Sequence, residues 1–180
     1  MEWVFDPTHS NADFSVRHMM ISNVRGGFKD VSGKLNFDAQ NPAASYVEAS
    51  IKTATVWTGI NDRDNHLRSA DFFDAENHPE ITFKSTNVEL VNPTHAKVTG
   101  ELTIRETTKS VVLEVEFIGE QKNPFTRKTS AGFSATTTIS REEFGLTWNV
   151  ALEAGGWLVG KDIKVSLDIE AVAVEETATV

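Results

Sequence analysis

A chain of 180 residues, 39% of them hydrophobic, can bury a core without disulfides or a structural metal, and it fits one domain over residues 1–180. Its formal net charge of -9 argues against nucleic acid, whose phosphates call for a basic patch. It has no cysteine, which excludes thiolate catalysis, thiolate metal sites and disulfides.

The first ten residues, "MEWVFDPTHS", lack the basic and apolar regions of a secretory leader, and no later apolar run reaches membrane length. A cytoplasmic chain with no transmembrane segment is expected. Alternation then sets in. Ala12, Phe14, Val16 and His18 share one face, with Asn11, Asp13, Ser15 and Arg17 on the other, as a half-buried strand requires. The same rhythm returns at Leu35 and Phe37, at Val47, Ala49 and Ile51, and at Ile81 and Phe83. It continues through Val98, Leu102 and Ile104, with Gly100 where a bend or bulge belongs. Val111 to Phe117, Ala131 to Ile139 and Ile163 to Ala171 complete about eight segments.

Gly, Pro and Asn punctuate these segments at Gly26–Gly27, Asn41–Pro42, Asn92–Thr94 and Asn123–Phe125. An all-β chain whose segments are apolar on one face closes most naturally into an antiparallel barrel; a two-sheet sandwich is the runner-up. Roughly eight strands leave an interior that side chains fill or that holds one small apolar ligand. The tail 175–180 reads as frayed.

The stretch "NDRDNHLRSADFFDAENHPE" breaks the alternation. Asn61 reads as a helix cap, and Asp64 stands four residues before Arg68, the favourable order for an ion pair. Ser69 can cap a second turn that carries Phe72 and Phe73, and Pro79 halts any helix before the strand at Ile81. One or two short helices are therefore expected to cover a barrel mouth. Arg63, Asp64, His66 or Arg68 would meet a ligand's polar end if they turn inward, and solvent if they turn outward.

"GGWLVGK", Gly155 to Lys161, has the spacing of a phosphate-binding loop, but Asp162 replaces the magnesium-binding hydroxyl and a strand follows where a helix is needed. The five histidines show no i, i+2 or i, i+4 pair, so no metal site is assigned. No G-x-S-x-G elbow appears. His18 alone sits on an apolar face, beside Phe14 and Val16. An enzyme with His18 as acid/base is the alternative to a binding protein.

Four stretches in order, "DPTHSNADFSVRHMMISNVRGGFKD", "RDNHLRSADFFDAENHPEITFKS", "GELTIRETTKSVVLEVE" and "ISREEFGL", resemble the YceI-like family of lipid- or polyisoprenoid-binding proteins, from about Trp3 to Val174. The resemblance implies a lipocalin-like, extended eight-stranded antiparallel barrel. It implies no cofactor and no catalytic residue, but a bound polyisoprenoid lipid such as a polyprenyl quinone or polyprenyl phosphate; a homodimer is left open. Arg105 and Glu106 stand where many members have His-Gly, so no role is carried over at that point. Many members also carry a secretory signal, which the first residues here do not resemble.

Apolar burial is worth about 0.8 kcal/mol per CH2, so a ten-carbon tail gains roughly 8 kcal/mol before entropy losses. Face parity gives the candidate lining Phe14, Val16, His18, Phe28, Phe37, Ile51, Phe72, Phe83, Leu102, Ile104, Phe133, Leu146, Trp148, Leu167 and Ile169, and Arg63 and Leu67 of the helical cover are added as ligand-binding candidates.

Overall fold

The computed structural model describes residues 1–175, so the expected frayed tail lies almost wholly outside the described residues. A single antiparallel sheet of eleven strands closes on itself as an eight-staved barrel. Five staves are unbroken: β7 (Glu80–Asn92), β8 (His95–Ile104), β9 (Thr107–Lys122), β10 (Thr129–Ser140) and β11 (Val159–Ala173). Three are interrupted. β1 (Glu2–Phe5) and β2 (Asn11–His18) lie end to end along one edge of β11, with Phe5 opposite Ala171 and Asn11 opposite Asp168. β3 (Ser22–Phe28) and β4 (Val31–Asn36) form the next stave, and β5 (Tyr46–Lys52) and β6 (Val56–Trp57) the third. β1 pairing with β11 closes the ring.

The breaks in the second and third staves are stitched by hydroxyl and backbone groups. Thr55 Oγ1 accepts from the Lys29 and Asp30 N–H groups at 3.2 Å each, and Lys52 N–H donates to Asp30 O. Backbone polar groups at a break would otherwise lose their ladder partners. The bends let the barrel widen beyond the ring, and α1 (Asn61–Arg68), packed beside β6, covers the widened end.

The eight alternating segments of the sequence thus map onto the staves, while the short pieces β1, β3 and β6 escape them. Gly26 and Gly27 are not turn residues, as punctuation suggested, but lie inside β3. A Cβ at Gly26 would collide with Phe14 Cζ and Thr58 Cγ2, so the missing side chain is what lets the Phe14 ring lie against β3. Nor does Gly100 bend its own strand. The register shift falls opposite it, between Ser85 and Asn87 of β7, and Gly100 makes room for the Phe83 ring.

Two apolar clusters fill the ends. Trp3, Phe5, Val31, Leu35 and Phe37 gather inside the complete ring, where Phe37, Phe117 and Phe133 form an aromatic triangle with centroids 5.1 to 5.5 Å apart. Phe28, Val56, Phe72, Ile81, Ile104, Phe144 and Leu146 gather under α1. Each buried side chain of this size contributes about 1.5–3 kcal/mol against chain entropy.

A two-chambered apolar interior as the candidate functional site

Between and beside these clusters the barrel encloses two cavities. The first, about 260 Å³, lies within the ring. Phe37, Ile51, Phe83, Leu102, Phe133, Leu167 and Ile169, all expected as lining, stand on its wall, as do Phe5, Val31 and Leu35, which the sequence reading did not name as lining. The second, about 310 Å³, lies under α1. Its wall carries Phe14, Val16, His18, Phe28, Arg63, Leu67, Phe72, Ile104, Leu146 and Trp148, and Ile51 and Leu102 reach it from the first. Ile81, Ile139 and Val165 also face both, so the chambers abut across a wall of branched side chains.

The alternation places these residues because a strand sends every second side chain inward. Arg63, Leu67 and Phe72 come instead from the α1 segment. Its start differs from the reading. Ile60, not Asn61, occupies the cap position and supplies no side-chain bond. The work passes to Asp64, 4% exposed, whose Oδ1 accepts from the Thr58 N–H at 2.9 Å and from the Thr58 hydroxyl. Asp64 is therefore tied back to the preceding turn, and the expected Asp64–Arg68 ion pair does not form. Arg68 instead donates to Asn65 Oδ1 at 2.7 Å and to the Ala54 and Val56 carbonyls. Ser69 does not start a second helix; it ends the first, donating to His66 O at 2.6 Å, and a non-helical turn carries Phe72 and Phe73 inward.

Of the four polar residues in that segment, two face the second cavity. Arg63 Nε donates to Thr58 Oγ1 at 2.7 Å and its Nη2 to Thr58 O at 2.9 Å, while its Nη1 makes no hydrogen bond among the described residues. His66 Nε2 pairs with Asp71 Oδ2 at 2.8 Å, and its ring lies edge-on to Phe72 and Trp148. His18 stands at the same end, half-buried, with no hydrogen bond to its ring among the described residues. Arg63, His66 and His18 thus share a mostly apolar chamber whose lining also includes Asp13, Arg17 and Arg141.

Arg141 is the residue that the sequence reading passed over, although "ISREEFGL" contained it. It is 4% exposed and pairs with no carboxylate among the described residues. Its guanidinium donates instead to four carbonyls: Gly160 O at 2.8 Å, Leu146 O at 2.6 Å, Trp148 O at 3.0 Å and Val159 O at 3.2 Å. Burial pulls its pKa below the usual guanidinium value, partly offset by Glu142. The fork pins residues 146–148, and with them the Leu146 and Trp148 side chains, to β11. Gly155 and Gly156, whose spacing only superficially matches a phosphate loop, are left-handed turn residues in the loop that follows, and no helix starts there.

Outside the barrel an open groove of about 910 Å³ has a mixed lining, with Asp13, Arg25, Glu114 and Lys164 beside Trp57 and Val112, and it does not enclose a guest. At the break between β1 and β2, Asp6, His9 and Glu170 converge, the one such group among the described residues whose atoms are close enough to approach a single cation. His9 Nδ1 lies 2.9 Å from Asp6 Oδ2 and 3.8 Å from Glu170 Oε2.

Comparison with known proteins places this architecture. A UPF0312 protein of Staphylococcus epidermidis is 37% identical over 166 residues, which span 92% of this chain and 94% of that one. The crystal structure of the Campylobacter jejuni YCEI protein superimposes with a TM-score of 0.73 at 35% identity, covering 88% of this chain and 90% of that one. A polyisoprenoid binding domain from Saccharophagus degradans, implicated in plant cell wall breakdown, shares the fold with a TM-score of 0.70 at 13% identity, over 96% of this chain and 98% of that one. The YceI-like domain pattern matches residues 3–171, and the chain belongs to the YceI-like family.

Proposed function

We propose that the protein is a non-enzymatic binder that holds a polyisoprenoid lipid in its barrel, for transport, storage or sequestration. The observation that carries this reading is the pair of abutting apolar cavities. Each exceeds the roughly 150 Å³ that stays dry and takes a benzene-sized guest, and together they fall in the range of about 300–1,000 Å³ typical of ligand pockets. Left empty, such volumes are costly, on the order of 6 kcal/mol each at about 24 cal/mol per Å³. A long, methyl-branched chain fits a narrow volume lined by Phe, Val, Ile and Leu.

The polar end supports one orientation. The tail lies in the ring chamber, and a head group that accepts hydrogen bonds, a quinone carbonyl or a phosphate, lies under α1 within reach of Arg63 Nη1. The alternative, His18 as an acid/base, has less support: no carboxylate hydrogen-bonds its ring among the described residues, so it lacks the oriented partner that general acid/base catalysis uses.

The test is organic extraction of the purified protein followed by mass spectrometry, with a thermal melt in added polyprenyl quinone. A copurifying prenyl lipid and a raised melting temperature are expected. No prenyl lipid in any preparation, together with an unchanged melting temperature, overturns the reading.

A further inference from the structure

We propose that the turn at Met19–Ile21 and the loop around Trp157 form one apolar tip that docks on a lipid bilayer. Met20, Ile21 and Trp157 are 61%, 79% and 58% exposed, and Met19 and Val150 are exposed beside them. The two segments make a single patch. Met19 N–H donates to Leu158 O at 2.8 Å, and Met20 Sδ rests over Gly156, where any Cβ would collide with it. Gly156, at φ +87°, is the residue type that permits both the turn and the contact.

The turn is built at a cost. Met19 and Met20 have φ of 49° and 63°, the left-handed region that Gly and Asn occupy easily and unbranched apolar residues rarely do. Two methionines are thus held in a backbone conformation that costs local stability, with their side chains exposed. The patch also adjoins the cavity. His18, one residue before Met19, and Leu158, which accepts the Met19 bond, both line the chamber under α1. A bilayer is the occupant that explains a tip at that place, because a membrane lipid must leave water-insoluble surroundings to reach the chamber; in this the inference rests on the function proposed above. Trp, Met and Ile on a loop tip match the interfacial depth of a bilayer, and a chain of net charge -9 gains nothing from anionic lipid. Association is therefore apolar in origin and insensitive to salt.

The experiment is flotation of the full chain with phosphatidylcholine vesicles that contain no prenyl lipid, at low and high salt. The wild type should float equally in both. Met20→Ser with Ile21→Ser, and separately Trp157→Ser, should each weaken partitioning by about tenfold or more, and the Trp157 variant should lose most of the fluorescence blue shift on vesicle addition. Circular dichroism melts check that the variants fold, as substitutions at exposed sites should allow. A wild type that does not float, or variants that float as well as it does, overturns the tip; so does sedimentation showing that the patch instead joins two copies. Because the vesicles carry no prenyl lipid, a chain that floats yet yields no prenyl lipid on extraction keeps the tip and loses the ligand reading, and the reverse result does the opposite.

Discussion

The His66 ring stands edge-on to Trp148, centroids 4.6 Å apart and planes at 87°, joining α1 to the segment after the 3-10 turn at Arg141–Phe144. Phe72 touches both rings, so the three close the chamber under α1 from two sides. An edge-to-face contact of this kind is worth about 0.5–1.5 kcal/mol. His66→Ala should therefore release a bound prenyl quinone about two- to twelvefold faster, with a smaller change in Kd because association quickens as well. Stopped-flow tryptophan fluorescence reads both rates; an unchanged dissociation rate would mean that the guest leaves elsewhere.

Arg141 holds the other side of that closure. Arg141→Met removes the guanidinium donor from the Leu146, Trp148 and Gly160 carbonyls, while Val159 O keeps its bond from Asn149 Nδ2 at 2.7 Å, and an orphaned buried polar group costs about 1–3 kcal/mol. Relaxation of the loop into water recovers part of this, so a net loss of roughly 3 kcal/mol is expected from the denaturation midpoint. Arg141→Lys should restore less than half, since an ammonium lacks the fork that serves four acceptors. Full rescue by Lys would assign the role to charge alone.

The barrel was legible because its inner wall is written with period two, and every strand residue chosen by parity stands on a cavity wall. What parity could not give were the places where the chain is not a strand. Trp3 and Phe5 alternate over only four residues, too few for a pattern, yet they sit at the centre of the ring cluster. Arg141 looked like an ordinary charged residue because its partners are backbone carbonyls, which leave no complementary side chain in the sequence. Spacing on the helix directs Asp64 to Arg68, but burial turns it toward Thr58, three residues outside the helix, where two hydrogen bonds satisfy its carboxylate.

The bend between β1 and β2 should titrate. The hydrogen bond from His9, followed by those from Thr8, lowers the Asp6 pKa from 3.8 to about 2, and the same bond to Asp6 raises that of His9 above 6.5. A depressed carboxylate stabilises above its unfolded pKa and loses this as pH falls; a raised imidazole stabilises below its unfolded pKa and loses this as pH rises. The pair therefore contributes most between pH 3.8 and 6.5, fading toward pH 2 on one side and above the raised His9 pKa on the other. An NMR titration of His9 should give a pKa above 6.5 that drops in Asp6→Asn. An identical His9 titration in the variant would show that the bond does not persist in solution.

Leu102 stands on the walls of both chambers. Its side chain faces the ring cavity and the α1 cavity together, so Leu102→Trp places an indole where the two meet. In the wild type, affinity for a series of prenyl quinones should climb with chain length, by at most about fourfold per buried methylene, until the tail fills the ring chamber. In the variant the climb should stop at a shorter chain, while the shortest quinones bind within about threefold of wild type because the head-group end is untouched. Overpacking is expected to cost about 1–3 kcal/mol of stability, which the thermal melt records separately. Parallel chain-length curves in the two proteins would show that the tail does not cross Leu102, and would place the whole guest in one chamber.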